Sequence, residues 1–181
     1  MTKQVAVLIG SASTTSFNHL AVKHLQQIAP ASIQLNIVEI GDLPLYDRDL
    51  DSQDVPQYTR VREAVKAADA VIWVTPEHNG SYSAMLKNAI DVVSRPAGQS
   101  LWIGKPLGLV SVNAGGSNRA VDALRTVAAC AYISMPVAPF AAAVGGIFAG
   151  AFNEQGELVS EQAKGTLQGF INSFAEFVAK F

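Results

Sequence analysis

Two polar loops carry the side chains of this sequence that could do chemistry. The first, residues 10–16, follows an apolar run at 5–9 and leads into a helical pattern. Its polar side chains are Ser11, Ser13, Thr14, Thr15 and Ser16, with Asn18 just beyond. Unpaired N–H groups at a helix start favour an anion, and each hydrogen bond to a charged group contributes roughly 1.5–3 kcal/mol. The loop could therefore hold a phosphate without lysine, while an ordinary capped turn explains the same residues.

The second loop, Thr75-Pro76-Glu77-His78-Asn79-Gly80-Ser81-Tyr82, follows the apolar run at 70–74. Glu77 could serve as a general base, and His78 could titrate near neutral pH. Together they supply two metal ligands, fewer than the three or four that a metal site usually needs, so metal binding is disfavoured. A tight turn with backbone donors, walled by His78 and Tyr82, also suits a flat ring such as isoalloxazine.

Five strand-like segments alternate with helical segments, and these elements must position both loops. The strands are predicted at 5–9, 33–40, 70–74, 106–112 and, as a short fifth strand, 134–137. The helices are predicted at 17–28, 58–68, 83–93, 119–129 and 161–181. Apolar runs without alternation indicate strands covered on both faces. Their alternation with helices favours an α/β fold with a doubly wound, five-stranded parallel sheet.

Right-handed crossovers make the flavodoxin-like order 2-1-3-4-5 the economical topology for such a sheet. The switch point of that order lies between the first and third strands, and the two polar loops leave those strands on either side of the crevice. We therefore expect the loops to bind the two ends of one ligand. The polar, proline-punctuated stretch 41–56 is long enough to form an interface or a surface flap. Asp91 and Arg95 are spaced for a weak helical ion pair.

Two common nucleotide-binding patterns do not fit the first loop. A triphosphate-binding loop needs G-x-x-x-x-G-K-[ST], and this loop has no lysine. The dinucleotide pattern G-x-G-x-x-G needs glycines that let the backbone approach a pyrophosphate, and Gly10 is the only glycine before the helix. Glu39 imitates the ribose-binding acid of that fold but does not replace the glycines. One phosphate on a longer ligand fits better.

Composition limits the class of protein. The 181 residues suit one domain spanning 1–181, and 49% of them are hydrophobic, enough for a core without metal or disulfide staples. A net charge of -2 gives no electrostatic case for binding nucleic acid or an anionic membrane. Cys130, the single cysteine, is expected to be a buried small hydrophobe. With no leader pattern and no long apolar run, we expect a cytoplasmic protein.

The loops also carry a family resemblance. Leu8-Ile9-Gly10-Ser11-Ala12-Ser13-Thr14-Thr15-Ser16-Phe17-Asn18 resembles the first signature of the NAD(P)H-dependent FMN reductase family, a glycine-serine loop that ends in Ser-x-Asn. Residues 75–81, followed by Leu86-Lys87-Asn88-Ala89-Ile90-Asp91, resemble its more specific second signature, and Gly115-Gly116 fit a looser third element. Length and element order match over nearly the whole chain. The resemblance is closest to the quinone and chromate reductase branch.

The resemblance implies a flavodoxin-like fold, bound FMN, NAD(P)H as hydride donor, and a homodimer or homotetramer with the site near a subunit interface. By position, the residues that line the phosphate are Ser11, Ser13, Ser16, Phe17 and Asn18. Those that meet the ring and ribityl chain, partly through backbone atoms, are Pro76, Glu77, His78, Asn79 and Gly80. From the third loop, Ser111 and Gly115 lie near the ring. The chemistry requires no catalytic side chain and no metal.

The sequence departs from the family pattern at four positions. Many members carry arginine where this chain has Ser13, so phosphate binding is left to hydroxyl and amide groups. The residue after Glu77, often aromatic in the family, is His78, and Gly80 and Tyr82 also differ from the quinone and chromate reductase branch. These departures bear on the electron acceptor more than on the cofactor.

The resulting hypothesis is a two-step flavoenzyme. NAD(P)H reduces bound FMN and leaves, and a quinone-type acceptor then takes two electrons in the same slot, with azo dyes or chromate as side substrates. One alternative is a flavin reductase that supplies free reduced FMN to a partner oxygenase. An alternative of another class is a non-enzymatic flavodoxin-type electron carrier. The mild net charge disfavours the carrier, because such proteins usually show an acidic face to their partners.

Overall fold

Long apolar runs form the centre of a parallel sheet in the computed structural model, which describes residues 1–181. The central strands are β1 (Lys3–Ile9), β3 (Ala70–Thr75) and β4 (Leu107–Val112). Every residue of β3 and of β4 is buried, as expected for strands covered on both faces. The edge strands are β2 (Ile33–Val38) and β5 (Ala142–Val144), and the order is β2-β1-β3-β4-β5. The predicted flavodoxin-like sheet is confirmed.

Helices cover both faces of the sheet. In chain order they are α1 (Phe17–Ile28), α2 (Pro56–Ala67), α3 (Ala84–Val93), α4 (Arg119–Ala128) and α5 (Glu161–Val178), with a 3-10 helix at Arg48–Ser52. α1 and α5 pack on one face, where Leu25, Phe170 and Phe174 are fully buried. α2, α3 and α4 pack on the other face, around Trp73 and Trp102. Each such side chain contributes about 1.5–3 kcal/mol by burial. No helix combines the length and hydropathy needed to span a bilayer.

The strand register brings three loops to one edge of the sheet. Ile9 of β1 pairs with Val74 of β3, and Thr75 of β3 pairs with Ser111 of β4. Because these strands run parallel, the segments that follow them all leave at the carboxyl edge, where open α/β sheets bind ligands. We call these segments loop one (10–16, after β1), loop two (76–83, after β3) and loop three (113–118, after β4).

The prediction of the fifth strand at 134–137 is wrong. Val137 makes only an isolated bridge to β4, and the strand lies later, at Ala142–Val144, in register with 110–112 of β4. Pro136 and Pro139 lack the N–H donor that a regular ladder needs. The chain therefore pairs regularly with β4 only after it has passed both prolines.

Two smaller predictions are also wrong. Cys130 is exposed, because it lies in the turn beyond the end of α4. Asp91 pairs with Lys87 at 2.6 Å, one helical turn earlier, and not with Arg95. The Arg95 guanidinium instead lies over the ring of Tyr46, 5.8 Å from its centroid.

The stretch 41–56 crosses the surface and is fastened to α3 by Asn88. The Asn88 side chain accepts a hydrogen bond from the Tyr46 N–H at 2.8 Å and donates to the Pro44 carbonyl at 2.9 Å. Between these two anchored residues, Leu45 is 82% exposed. Asn88 therefore fixes the backbone on both sides of Leu45, whose apolar side chain is exposed to solvent.

Candidate functional site

Loops one and two meet at the crevice between β1 and β3. The Gly10 N–H donates to the Val74 carbonyl at 2.8 Å. A Cβ atom built on Gly10 would lie 2.7 Å from Leu86 Cβ and closer still to Ser83 Oγ. The end of β1 therefore packs directly on the first turn of α3, at a distance that only glycine permits. This contact sets the two loops side by side.

Loop one ends in a capped helix. Ser16, the N-cap of α1, accepts a hydrogen bond from the His19 N–H at 3.3 Å and donates to Ser11 Oγ at 2.8 Å. The N–H groups of Phe17 and Asn18, in the first turn, have no partner within the protein. These free donors and the helix dipole favour an anion at this point.

The side chain of Asn18 gives a second sign that this site takes a ligand. It is 4% exposed, and its Oδ1 atom has no hydrogen-bond partner. A buried polar atom without a partner costs about 1–3 kcal/mol. An amide has both donors and an acceptor, so a ligand with a phosphate and hydroxyl groups, such as FMN, fits this position. No residue of loop one carries a positive charge, and Ser13 bonds only to Thr15 beside it.

Loop two is a tight hairpin turn. His78 and Ser81 exchange backbone hydrogen bonds at 2.8 and 3.0 Å. The two residues between them have positive φ, 52° at Asn79 and 78° at Gly80, and Asn-Gly is the pair that such a turn prefers. The turn uses the N–H of His78 and leaves the N–H groups of Glu77, Asn79 and Gly80 without a partner. Loop two thus offers a ligand several backbone donors.

Thr75 anchors loop two to α3. Its side chain is fully buried, and its hydroxyl accepts from the Ser83 N–H at 3.0 Å and donates to the Pro76 carbonyl at 2.8 Å. Ser83 is itself the N-cap of α3. Both ends of the loop are thereby fixed, while His78 and Asn79 at its tip are exposed.

Loop three is held by one asparagine. Asn113, 5% exposed, accepts hydrogen bonds from the N–H groups of Gly116 at 2.6 Å and Ser117 at 3.2 Å. Its Nδ2 donates to Ser111 Oγ at 3.0 Å. The Ser117 hydroxyl donates to Oε2 of Glu77, so a side-chain hydrogen bond joins loop three to loop two. The Glu77 carboxylate is therefore already engaged within the protein.

The structure brings the predicted site residues to one edge, with one exception. Loop one and the first turn of α1 hold Ser11, Ser13, Ser16, Phe17 and Asn18, and loop two holds Pro76, Glu77, His78, Asn79 and Gly80. Gly115 is exposed in loop three, and a Cβ added there would meet nothing within 4 Å. Ser111, in contrast, is fully buried within β4, so it reaches the site only through Asn113.

Sequence reasoning missed three residues of this edge, Asn113, Ser117 and Arg119. A local signal existed for Asn113, because an asparagine directly after a strand commonly bonds the backbone of its own turn. Arg119 begins α4, and its Cδ atom lies 3.7 Å from a Cβ built on Gly80. It is exposed and takes part in none of the ion pairs. A free positive charge therefore stands beside loop two.

A flavodoxin-like sheet with free N–H donors at its β1/β3 switch point and on the adjoining loop is typical of proteins that bind a flavin mononucleotide. Residues 4–149 match the family described as NADPH-dependent FMN reductase, and the chain belongs to that family. It is an oxidoreductase with FMN as cofactor and NAD(P)H as electron donor.

Similar proteins match over almost their whole length. A quinone reductase of Pseudomonas putida is 42% identical over 96% of this chain and 94% of its own. A 2-hydroxy-1,4-benzoquinone reductase of a Burkholderia species is 34% identical over 98% and 97%. The solved structure of FerB, a flavoenzyme NAD(P)H:(acceptor) oxidoreductase from Paracoccus denitrificans, has a TM-score of 0.88 at 33% identity and covers 98% of both chains. The predicted family and the predicted enzyme class are confirmed.

Proposed function

We propose that this chain transfers two electrons from NAD(P)H, through FMN held by loops one and two, to quinone-type acceptors. The observation that carries the proposal is the presence of two sets of free backbone donors at one crevice. They belong to Phe17, Asn18, Glu77, Asn79 and Gly80. Two relatives are named as reductases of quinones, which supports that acceptor class. Azo dyes and chromate are proposed as side substrates.

In this proposal the two ends of the cofactor are assigned to different loops. The phosphate is assigned to Ser11, Ser13, Ser16, Phe17 and Asn18. The ring and ribityl chain are assigned to Pro76, Glu77, His78, Asn79 and Gly80, with Gly115 from loop three. The free N–H groups of Phe17 and Asn18 at the start of α1 support the first assignment, because they can donate to phosphate oxygens. The free N–H groups of loop two support the second, since the edge of an isoalloxazine ring carries hydrogen-bonding atoms.

Bound FMN supplies the hydride and electron chemistry, and the chain binds, orients and shields. The hairpin of loop two gives its donors a fixed geometry through the Asn79-Gly80 turn. The Glu77 carboxylate is engaged by Ser117, so we assign no side chain as a catalytic acid or base. Exposed His78 forms a wall of an open slot that donor and acceptor enter in turn.

The test begins with the purified chain titrated with FMN. We expect the visible spectrum of a bound flavin, retention of that flavin through gel filtration, and oxidation of NADH or NADPH that depends on added quinone. The absence of both bound flavin and quinone-dependent oxidation would overturn the proposal. Rapid oxidation with loss of FMN on the column would instead favour a flavin reductase with a partner oxygenase. An FMN-loaded chain that NAD(P)H does not reduce would be an electron carrier.

We also propose that residues 1–181 form one domain and that the protein acts in the cytoplasm as a homodimer or homotetramer. Two large apolar side chains, Leu45 and Phe148, are each 82% exposed, which supports self-association. Sedimentation velocity should show an oligomer for the native chain and smaller species for Leu45→Asp. A native chain that sediments as a monomer at micromolar concentration would contradict the oligomer.

A further inference from the structure

Asn113 is a fully used hydrogen-bonding group at the base of loop three. Its Oδ1 accepts from the N–H groups of Gly116 and Ser117, and its Nδ2 donates to Ser111 Oγ and to the Ser117 carbonyl at 3.1 Å. An asparagine amide has two N–H donors and one acceptor oxygen, and all of them are used here to hold the backbone and side chains of the loop. Because Asn113 is buried, water does not readily replace these bonds.

A second contact fixes loop three from its other side. A Cβ built on Gly145 would lie 2.6 Å from the Gly116 nitrogen and 2.8 Å from its Cα. The Gly146 N–H donates to the Ala114 carbonyl at 2.9 Å. Loop three therefore rests on the segment after β5, and movement in that direction is blocked.

On the side that faces loop two, loop three is held by one hydrogen bond. The Ser117 hydroxyl donates to the Glu77 carboxylate, and these residues are forty positions apart in the sequence. Glu77 precedes the hairpin whose free N–H groups we assign to the ring, and Ser117 follows exposed Gly115 on the opposite loop. This bond thus links the two loops that border the proposed ring position.

We infer that Asn113, Ser117 and Glu77 form a positioning device that sets the distance between loops two and three. The inference rests on the proposed function, because the gap it sets is the one assigned to the flavin ring. Glu77 acts in it as a fixed acceptor and not as a proton-transfer group. Displacement of a binding group by about 1 Å lowers rates strongly in preorganised sites. A loosened loop should therefore weaken FMN binding and slow FMN reduction.

The test compares Ser117→Ala with Ser117→Thr, which retains a hydroxyl. Fluorescence titration of FMN should show a dissociation constant about tenfold higher for Ser117→Ala, the equivalent of one lost hydrogen bond to a charged group. At saturating FMN, the rate of flavin reduction by NADH should fall by a similar factor with little change in KM. Ser117→Thr should recover most of both losses. Equal behaviour of Ser117→Ala and the native chain would overturn the inference.

A second measurement needs no flavin. In native-state hydrogen exchange of the flavin-free chain, the N–H groups of Gly116 and Ser117 should be protected, and Asn113→Ala should abolish that protection. Val5→Ala is the matched control, since Val5 is fully buried at the amino end of β1, away from the loops. It should lower stability while leaving those two N–H groups protected. Unchanged exchange in Asn113→Ala would refute the device even if FMN binds, and failure of FMN to bind would leave this readout intact.

Discussion

Ser13 lies in loop one, the segment to which we assign the FMN phosphate. Its exposed hydroxyl bonds only to Thr15, and loop one carries no cation. Ser13→Arg should place a guanidinium beside the phosphate and tighten FMN binding about tenfold, since charge-assisted hydrogen bonds contribute roughly 1.5–3 kcal/mol. Fluorescence titration of FMN at low and high salt measures the change.

The control for Ser13→Arg places the same charge elsewhere. Asn172 is exposed on α5, within the second half of that helix. Asn172→Arg should leave the FMN dissociation constant within about twofold of the native value, because a surface charge at a distance is screened. If both variants tighten binding equally, a general charge effect operates and the phosphate does not lie at loop one.

Single residues could be interpreted from the sequence where their bonds are local. The hydroxyl groups of loop one and the residues of the Asn79-Gly80 turn bond to neighbours a few positions away in the sequence. Residue type and spacing are therefore sufficient to predict their roles. The bond from Ser117 to Glu77 could not be predicted in this way. It spans two loops that come together only through the register of β3 with β4, which no local pattern reports.

At the scale of elements, the contact between β1 and α3 leaves no room for a side chain at Gly10. Gly10→Ala would drive a Cβ into Leu86 and Ser83, so β1 and α3 must separate. Overpacking of this kind costs about 1–3 kcal/mol, and the shift also moves loop one relative to loop two. We expect a lower urea midpoint and weaker FMN binding for this variant.

Gly165→Ala is the matched glycine substitution. Gly165 lies within α5, and a Cβ there would meet nothing within 4 Å. Alanine in an open helix position stabilises by about 0.5–1 kcal/mol relative to glycine. The same urea titration should therefore show a higher midpoint and unchanged FMN affinity. A loss of stability in both variants would mean that backbone mobility, and not the β1–α3 contact, explains the Gly10 result.

The packing of α1 on α5 makes stability depend on pH. Partial burial, and then the charge of Lys164, lower the pKa of His24 below its usual 6.5. At pH values between the pKa of His24 in the folded chain and about 6.5, the unfolded chain binds a proton at His24 more readily than the folded chain does. The stabilising effect of keeping His24 neutral is thus fully present above pH 6.5 and is lost as pH falls below it.

His24→Gln should remove this part of the pH dependence. Urea unfolding of the native chain and of His24→Gln at pH 7.5 and 5.5 isolates the contribution of His24, because the two chains share all other titrating groups. The native chain should lose more stability between these pH values than the variant. Parallel losses would show that His24 keeps its ordinary pKa when folded.

The boundaries of helices and strands could be predicted where the hydrophobic pattern is distinct. They could not be predicted where only hydrogen bonding to a neighbouring strand defines the element. The amphipathic pattern of α5 and the unbroken apolar run of β3 predict both elements to within a few residues. β5 has three residues, and 134–137 resembles a strand equally well. The choice between them is made by hydrogen bonding to β4, in which Pro136 and Pro139 cannot donate.

For the whole molecule, the sheet order could be predicted because right-handed crossovers leave few topologies for five alternating strands and helices. Because β1, β3 and β4 run parallel, loops one, two and three then leave the sheet at a single edge. The exposure of Leu45 could not be predicted, because the residues on either side of it are anchored by Asn88, more than forty positions away in the sequence.

The single edge has a kinetic consequence. In the proposed site all three loops border one slot, in which NAD(P)H and the quinone reach the same ring position in turn, so the two substrates should exclude each other. Initial rates with NADH varied at several fixed quinone concentrations should give parallel double-reciprocal lines, and high quinone should inhibit competitively against NADH. Menadione is a suitable quinone for the assay. Intersecting lines would require both substrates to be bound together, and would place one of them outside the slot between loops two and three.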